Sequence, residues 1–254
     1  MGVVNLTDDS FFSGNKFLNE LDKIPNDAFK YADIIDVGAE STKPFSNPIT
    51  TNEEIKRISN FNISNYKKNI FSIDSYKYEV IKYALENGYN MINDITAGGC
   101  NNNNLQLAKD FNVPIVLMHM QGNPNNMQIN PKYDDLITDL MLFFDNKINW
   151  CVKLGIPLKN IIIDPGIGFG KSIQDNFQII KRLGEFKKFG VKILIGISRK
   201  SFLQVDDDKP EDRLNTSLSA MSIAVNNGAD IVRVHDIYST FKVLNIIDRI
   251  KNQS

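Results

Sequence analysis

The chain has 254 residues, of which 42% are hydrophobic and 23% are charged, and its 29 basic residues almost balance 30 acidic ones. This composition excludes an intrinsically disordered chain, and it argues against a protein that binds nucleic acid by neutralising phosphates. No run of about 18 apolar residues predicts a membrane span, and the N-terminus lacks the basic and apolar regions of a secretory signal.

Short runs rich in β-branched residues recur along the chain and predict strands. Most are almost continuously apolar, as expected of strands buried on both faces of a parallel sheet. In chain order, the predicted strands are Gly2–Leu6, Asp33–Gly38, Ile70–Asp74, Met91–Ile95, Pro114–His119, Ile161–Pro165, Lys192–Ser198 and Asp230–His235. Segments with apolar residues at helical spacing lie between strands, and most of them stop before a glycine. The clearest predicted helices are Tyr78–Asn87, Tyr133–Leu154, Leu214–Asn227 and Phe241–Ile250.

Strands alternating with helices over this length predict an α/β protein, a single-domain (β/α)8 TIM barrel without an N-terminal extension before the first strand. A doubly wound open sheet is the alternative, but the turn after the first strand lacks a glycine-rich fingerprint. The two cysteines, Cys100 and Cys151, lie far apart. They form no disulfide framework or zinc ribbon motif, which predicts a reducing, cytoplasmic location.

Every predicted strand ends in or beside polar residues, at the carboxyl end where the active site of such a barrel lies. Polar residues also end strands as simple turns and helix caps, but acids, amides and cations recurring at all eight ends favour a binding site. These residues are Asn5, Glu40–Lys43, Asp74–Ser75, Asn93–Asp94, His119, Asp164, Ser198–Lys200 and Arg233–Asp236.

The segment Asp164–Lys171 carries three alternating glycines without the spacing of a P-loop. Its Asp164 carboxylate can accept two hydrogen bonds from a planar donor pair, while glycines let a flat ring approach the backbone. Asp74 and Asn93 on neighbouring strands would extend the same pocket, with Lys200 or a ligand rich in N–H groups supplying donors. Alternatively, Asp164 only caps a turn or helix.

Arg233 and His235 alternate within one predicted strand and would point to one face, close to Asn5 on the first strand. Guanidinium, imidazole and amide groups together make an anion site. The alternatives are a surface salt bridge for Arg233 and a structural role for His235. The segment Ser198–Ser201 is predicted to end the seventh strand and open a helix whose N-terminus attracts carboxylates, or else to be a helix cap with solvated cations.

Eight segments of the chain, in this order, resemble the dihydropteroate synthases. Each one alone is a weak signal, but together they cover the whole chain. They are Met1–Phe11, Ile34–Thr42, Ser72–Lys77, Ile92–Ile95, Leu117–Met120, Asp164–Lys171, Ser198–Ser201 and Arg233–Asp236.

The resemblance implies a (β/α)8 barrel, usually homodimeric, that joins 6-hydroxymethyl-7,8-dihydropterin diphosphate to 4-aminobenzoate. The products are 7,8-dihydropteroate and diphosphate, in a magnesium-dependent step of folate synthesis that sulfonamides inhibit. Diphosphate leaves first, and the aromatic amine then attacks the pterin-methylene cation. The resemblance also allows residues 1–254 to be one domain of a longer, bifunctional polypeptide.

The resemblance carries the family's site residues over to matching positions. The catalytic set is Asp74, Asn93, Asp164, Lys200, Arg233 and His235. The pterin contacts are Asp74, Asn93, Ile95, Met118, Asp164, Gly168, Phe169, Gly196 and Lys200. The diphosphate contacts are Asn5, Thr42, Arg233 and His235, with Mg2+ on the Asn5 side. The aminobenzoate contacts are Phe11, Lys43, Pro44, Ser198 and Ser201.

The chain departs from the family pattern in its first two loops. Asp8 replaces a proline, Ser13 replaces an aspartate and Lys43 replaces an arginine, which keeps the charge but loses the planar fork. Two other functions are therefore weighed. A pterin-binding methyltransferase would share the acidic pocket, but the Ser198–Ser201 motif is not expected in such a protein. A catalytically inactive homologue would bind pterin or stabilise a partner without turnover.

Overall fold

The computed structural model describes residues 1–6, 26–40, 48–63, 68–99, 102–122, 127 and 131–253. These residues confirm the predicted barrel, because eight parallel strands form a sheet in chain order and a helix follows each strand. The strands are β1 (Gly2–Asn5), β2 (Ile34–Gly38), β3 (Ile70–Asp74), β4 (Met91–Asp94), β5 (Ile115–Met118), β6 (Ile161–Asp164), β7 (Lys192–Ile195) and β8 (Ile231–Val232). The helices are α1 (Asn26–Tyr31), α2 (Thr51–Ser59), α3 (Tyr78–Glu86), α4 (Asn103–Asp110), α5 (Leu136–Leu154), α6 (Ile173–Lys181), α7 (Leu214–Asn226) and α8 (Ile237–Lys251).

Backbone hydrogen bonds between the segment after β8 and the first strand close the barrel. The amide of Val3 donates to the carbonyl of Val234 over 3.0 Å, and the amide of Val234 donates to the carbonyl of Met1 over 3.0 Å. A parallel bridge also joins Gly2 to Val234. The carboxyl ends of all eight strands therefore surround one opening, as the prediction of a single shared site requires.

The core has two parts, separated by the sheet. The larger part fills the space between strands and helices and includes fully buried Ile35, Val37, Ile73 and Phe144. The smaller part consists of Met91, Val116, Ile162 and Leu194, one from each of β4 to β7, with partly buried Met1, Ile34 and Ile231 packed against it. Because side chains alternate along a strand, this second cluster fills the interior of the barrel and forms the floor beneath the opening.

Helix ends follow signals that the sequence carries. The carboxylate of Asp135 accepts a 2.8 Å bond from the amide of Thr138, so α5 begins at Leu136 and not at the predicted Tyr133. Gly155, with φ of 99°, ends this helix in the left-handed conformation. Ser172 and Asp175 form a capping box that starts α6 immediately after the glycine loop.

The last two strands are shorter than the sequence predicts. β7 ends at Ile195 rather than Ser198, and β8 covers two residues rather than the predicted Asp230–His235. The ladder between them has two residue pairs. The amide of Arg233 still donates to the carbonyl of Ile195, and Val234 then bonds to the first strand. Among the described residues, no helix is long and apolar enough to cross a membrane.

Candidate functional site

The floor cluster and the residues two positions further along each strand form successive layers. Strand alternation directs both positions of a strand to the barrel interior. Asp36 thus follows Ile34, Asn93 follows Met91, and Asp164 follows Ile162. By the same spacing, the layer above the floor also contains Met118, Gly196 and Arg233. An apolar floor therefore supports a layer rich in charged and amide groups.

A network of charged and amide groups crosses this layer. Arg233 donates from Nε to Asp36 Oδ2 and from Nη2 to Asp74 Oδ2, each over 2.6 Å. Asp36 Oδ2 also accepts from Asn93 Nδ2 over 2.9 Å. Side chains from β2, β3 and β4 are thereby joined to Arg233, which follows β8, on the far side of β1.

The network also sets the charges of its members. Burial raises the pKa of Asp74 above its ordinary value, although Arg233 opposes this shift and nearby Asp36 reinforces it. Burial acts against the charge on Arg233, but Asp36 and Asp74 outweigh it and raise the pKa of the guanidinium. Arg233 is therefore a permanent cation held between two carboxyl groups.

Asp164 ends β6 and lies 7% exposed beneath the glycine loop. Its Oδ1 accepts a 2.7 Å bond from the amide of Gly166. Burial raises its pKa, while the bond from Gly166 and the charge of Lys200 oppose the shift. In the part of the chain that the structure describes, Asp164 Oδ2 and Asn93 Oδ1 accept no hydrogen bond, so both oxygens are available to a ligand with N–H donors.

Lys200 lies across the glycine loop from Asp164. Its Nζ donates to the carbonyl of Ile167 and lies 4.6 Å from the centre of the Phe169 ring. Burial lowers the pKa of Lys200 to about 8, although Asp164 opposes this shift. A Cβ at Gly168 would lie 3.2 Å from Lys200 Cδ, and its φ of 78° also favours glycine.

The remaining predicted pterin contacts lie around these groups. Met118 is 4% exposed at the end of β5 and pairs with Asp164 in the ladder. Ile95 is buried just after β4. Gly196 follows β7, where a Cβ would lie 4.0 Å from that of Arg233.

The structure separates the residues of the predicted anion site. Arg233 and His235 lie beyond the two residues of β8, on either side of buried Val234, which still pairs with the first strand. Arg233 turns to the carboxylates, whereas exposed His235 lies with its Nδ1 3.1 Å from Ser198 Oγ. Asn5 is half-buried at the end of β1.

Two other expectations also need correction. The segment Ser198–Ser201 leads into a single 3-10 turn, Ser201–Leu203, and not into a helix with an N-terminal anion site. Lys200, one of the two donors considered for the carboxylates, donates to a carbonyl of the protein, and Arg233 supplies the donors to Asp36 and Asp74. Three 3-10 residues leave too few aligned amides for the predicted helix dipole.

Several predicted contacts lie outside the described residues: Phe11, Thr42, Lys43 and Pro44, together with the departures at Asp8 and Ser13. Within the described ranges, no group of three or more His, Cys, Asp or Glu residues could hold a metal ion.

Sequence reasoning missed the role of Asp36, which is fully buried and central to the network. A signal was present, because an aspartate interrupts the apolar run Ile34–Val37 of a strand buried on both sides. Lys171 was also missed, although it ends the glycine loop and is 4% exposed.

Comparison with known proteins places this geometry in a family. Residues 1–235 match the family of pterin binding enzymes. The chain belongs to this family. Among curated relatives of this pterin binding enzyme, the dihydropteroate synthase of Haemophilus influenzae is 38% identical, over 97% of this chain and 91% of the relative.

Solved structures agree with this assignment. The crystal structure of Yersinia pestis dihydropteroate synthase with a sulfonamide drug complex has a TM-score of 0.92 and 36% identity, covering 100% of this chain and 94% of that one. Xanthomonas albilineans dihydropteroate synthase with 4-aminobenzoic acid has a TM-score of 0.90 and 33% identity, covering 100% and 93%.

Proposed function

We infer that this pterin binding enzyme is a dihydropteroate synthase, a transferase that joins 6-hydroxymethyl-7,8-dihydropterin diphosphate to 4-aminobenzoate in folate synthesis. The observation that carries this assignment is the set of acceptors at the carboxyl ends of the strands. Asp164 Oδ2 and Asn93 Oδ1 are available to N–H donors, and they lie in one layer above an apolar floor. Relatives with this fold are dihydropteroate synthases over nearly their whole length.

The pterin ring binds in the inward layer in this proposal. Its amino group and ring N–H donate to Asp164, Asn93 and Asp74, which suits buried acceptors whose donors a ligand must supply. Lys200 donates to an acceptor on the ring, and Met118 and Phe169 pack against its two faces. The remaining contacts of the ring, Ile95, Gly168 and Gly196, supply apolar surface and close backbone approach.

The diphosphate binds towards the opening of the barrel. We assign it to Asn5, Thr42, Arg233 and His235. The side chain of Arg233 is 24% exposed while it contacts both carboxylates, which supports a role for its outer edge in contacting the leaving group.

The aromatic amine binds last, at Ser198 and Ser201 and at the loop residues Phe11, Lys43 and Pro44. The bond between the pterin methylene carbon and the diphosphate oxygen breaks first, and the electron-rich pterin delocalises the resulting cation. The amine nitrogen then forms the new bond and loses a proton. Arg233 stabilises the charge that develops on the diphosphate, so no covalent nucleophile on the protein is required.

Mg2+ fits this site only as a partner of the substrate. The described residues hold no cluster of acidic ligands, but Mg2+ is often held by one or two protein oxygens together with substrate phosphates. Asn5 would provide the amide oxygen. When bound, the ion neutralises charge on the departing diphosphate.

We also propose that residues 1–254 form one domain, that the protein is cytoplasmic and that it is a homodimer. The two cysteines, far apart and outside any disulfide or zinc motif, support a reducing, cytoplasmic location. Exposed apolar side chains on the last two helices, Ile223, Ile246 and Ile250, support association of two copies. Sedimentation equilibrium tests this point, since a mass of one chain at micromolar concentration contradicts the homodimer.

Diphosphate release by the purified protein tests the function. We expect release that needs both substrates and Mg2+ and that a sulfonamide inhibits in competition with 4-aminobenzoate. Pterin binding by calorimetry without any turnover would instead favour the inactive homologue. Demethylation of methyltetrahydrofolate would favour the methyltransferase.

A further inference from the structure

A buried lysine that the proposed mechanism does not use lies beside the pterin pocket. Lys171 ends the glycine loop and is 4% exposed. Its Nζ lies 3.1 Å from His119 Nδ1, 3.3 Å from the His119 carbonyl and 3.0 Å from the Phe169 carbonyl. Among the described residues, no carboxylate forms a hydrogen bond with it. Asp164 and Asp175 favour its charge from a distance, but burial outweighs them, so an amine whose hydrogen-bond partners are all neutral is costly and its place calls for a reason.

The contacts of Lys171 join two separate walls of the pocket. His119 immediately follows Met118 at the end of β5, whereas Phe169 belongs to the loop after β6. The backbones of these walls also touch, because the amide of His119 donates to the carbonyl of Asp164 over 2.9 Å. Lys171 adds a second connection further from the floor.

The glycine loop packs so closely on the segment after β5 that side chains are excluded. A Cβ at Gly166 would lie 1.9 Å from the His119 carbonyl oxygen, and one at Gly170 would lie 2.5 Å from the Gln121 carbonyl oxygen. Both glycines also have positive φ, 71° and 65°. Because the two backbones are already in contact, the hydrogen bonds of Lys171 to both of them fix the distance between the segment after β5 and the glycine loop.

The three contacts survive a change in the charge of Lys171. Burial lowers its pKa to about 7, and burial also lowers the pKa of His119 to about 3, so the imidazole stays neutral. A lysine ammonium donates to both carbonyls and to an unprotonated Nδ1. A neutral amine donates to the two carbonyls and accepts from a protonated Nδ1. The connection therefore does not depend on one protonation state.

We propose that Lys171 is a positioning residue that fixes the spacing between Met118 and Phe169, the two side chains assigned to opposite faces of the pterin ring. This inference rests on the proposed function, because it assumes that a pterin lies between these walls. Lys171 touches carbonyl and imidazole groups of the protein and acts on the ligand only through them. Its loss would loosen the pterin pocket without altering the aminobenzoate contacts.

The Lys171→Met variant tests the proposal, because methionine keeps an apolar side chain of similar length and loses the amine. We expect the KM for the pterin diphosphate to rise at least about tenfold, as for small displacements of a binding group. The KM for 4-aminobenzoate should change less than twofold. Lys181→Met, on the exposed surface of α6, is the matched control and should leave both constants unchanged.

A second variant separates positioning from general damage. His119→Phe keeps a ring against Phe143, whose centre lies 4.9 Å from that of His119, but removes Nδ1. We expect the same selective loss of pterin affinity, smaller in size, and a double variant no worse than Lys171→Met alone, because both changes break one connection. If Lys171→Met does not fold, His119→Phe alone decides between a selective loss and none.

The results that overturn the inference are distinct from a failure of the proposed function. If the unaltered protein binds no pterin diphosphate, the function is wrong. If it binds and folded Lys171→Met binds equally well, or if both KM values rise together, Lys171 has no positioning role. Additive effects of the two changes would likewise overturn it.

Discussion

The carboxylate of Asp36 is the structural centre of the polar layer, and replacing it with asparagine tests this role. Asp36 is fully buried and accepts from both Arg233 Nε and Asn93 Nδ2 through the same oxygen. Asparagine has nearly the same shape, so the change creates no cavity. It removes a charge from beside Arg233 and can present an amide N–H2 to groups that are themselves donors.

The size of the effect follows from the burial of the pair. Removing one partner of a buried ion pair costs about 3–5 kcal/mol, because an uncompensated charge stays behind. Arg233 still contacts Asp74 over 2.6 Å and is partly exposed, so we expect the lower end, about 3 kcal/mol. For a chain of this size that loss lowers the Tm by roughly 6–12 °C.

Urea unfolding followed by circular dichroism measures this loss in free energy of unfolding. Asp207→Asn, at an exposed aspartate, is the matched control and should lie within about 0.5 kcal/mol of the unaltered protein. The double variant Asp36→Asn with Arg233→Met should lose less than the sum of the single losses, since no cation is left unpaired. An Asp36→Asn protein as stable as the control would refute the account of the network.

Three further predictions concern the glycine loop and the two buried lysines beside the pterin pocket. Lys200→Ala should weaken pterin binding and lower kcat/KM, because a donor above the Phe169 ring is lost. If calorimetry and kinetics give values close to those of the unaltered protein, Lys200 does not belong to the site. Between pH 7 and pH 9, urea unfolding should show a steeper rise in stability than Lys171→Met shows, because that variant retains the contribution of Lys200 but not that of Lys171. The folded pKa of about 7 lies below the unfolded value of 10.5, so the unfolded state holds the extra proton in this range, and equal slopes for the two proteins would contradict this. Gly166→Ala should destabilise the fold far more than Gly155→Ala. Both variants place alanine in a left-handed conformation, at a cost of roughly 1–2 kcal/mol, but only Gly166→Ala also adds a steric clash. Equal Tm values for the two variants would disprove the close packing.

The sequence predicts the barrel well because its strands are nearly continuous apolar runs and its helices stop at glycines. Alternation along a strand also predicts which residues face the opening, as Asn93 and Asp164 do. The irregular ends of β7 and β8 are less predictable. Their ladder has two residue pairs, and beyond it Arg233 contacts two carboxylates whereas His235 contacts Ser198.

Long-range pairing is the part that a single sequence does not reveal. Arg233 is 197 residues from Asp36 and 159 from Asp74, and only the closed barrel brings these charges together. A charged side chain in an apolar strand, such as Asp36, indicates that it has a partner of opposite charge, but it does not identify that partner. The sequence therefore places Arg233 among the diphosphate contacts, with a salt bridge as the alternative, but it does not identify Asp36 and Asp74 as its partners.

A crystal structure with 6-hydroxymethyl-7,8-dihydropterin diphosphate bound tests the central claim most directly. We predict that the pterin ring lies between Met118 and Phe169, with its N–H groups donating to Asp164 Oδ2 and Asn93 Oδ1 and its diphosphate towards the opening. A ring bound elsewhere, or one in the barrel without contact to Asp164 and Asn93, would contradict the assignment of this layer as the pterin site.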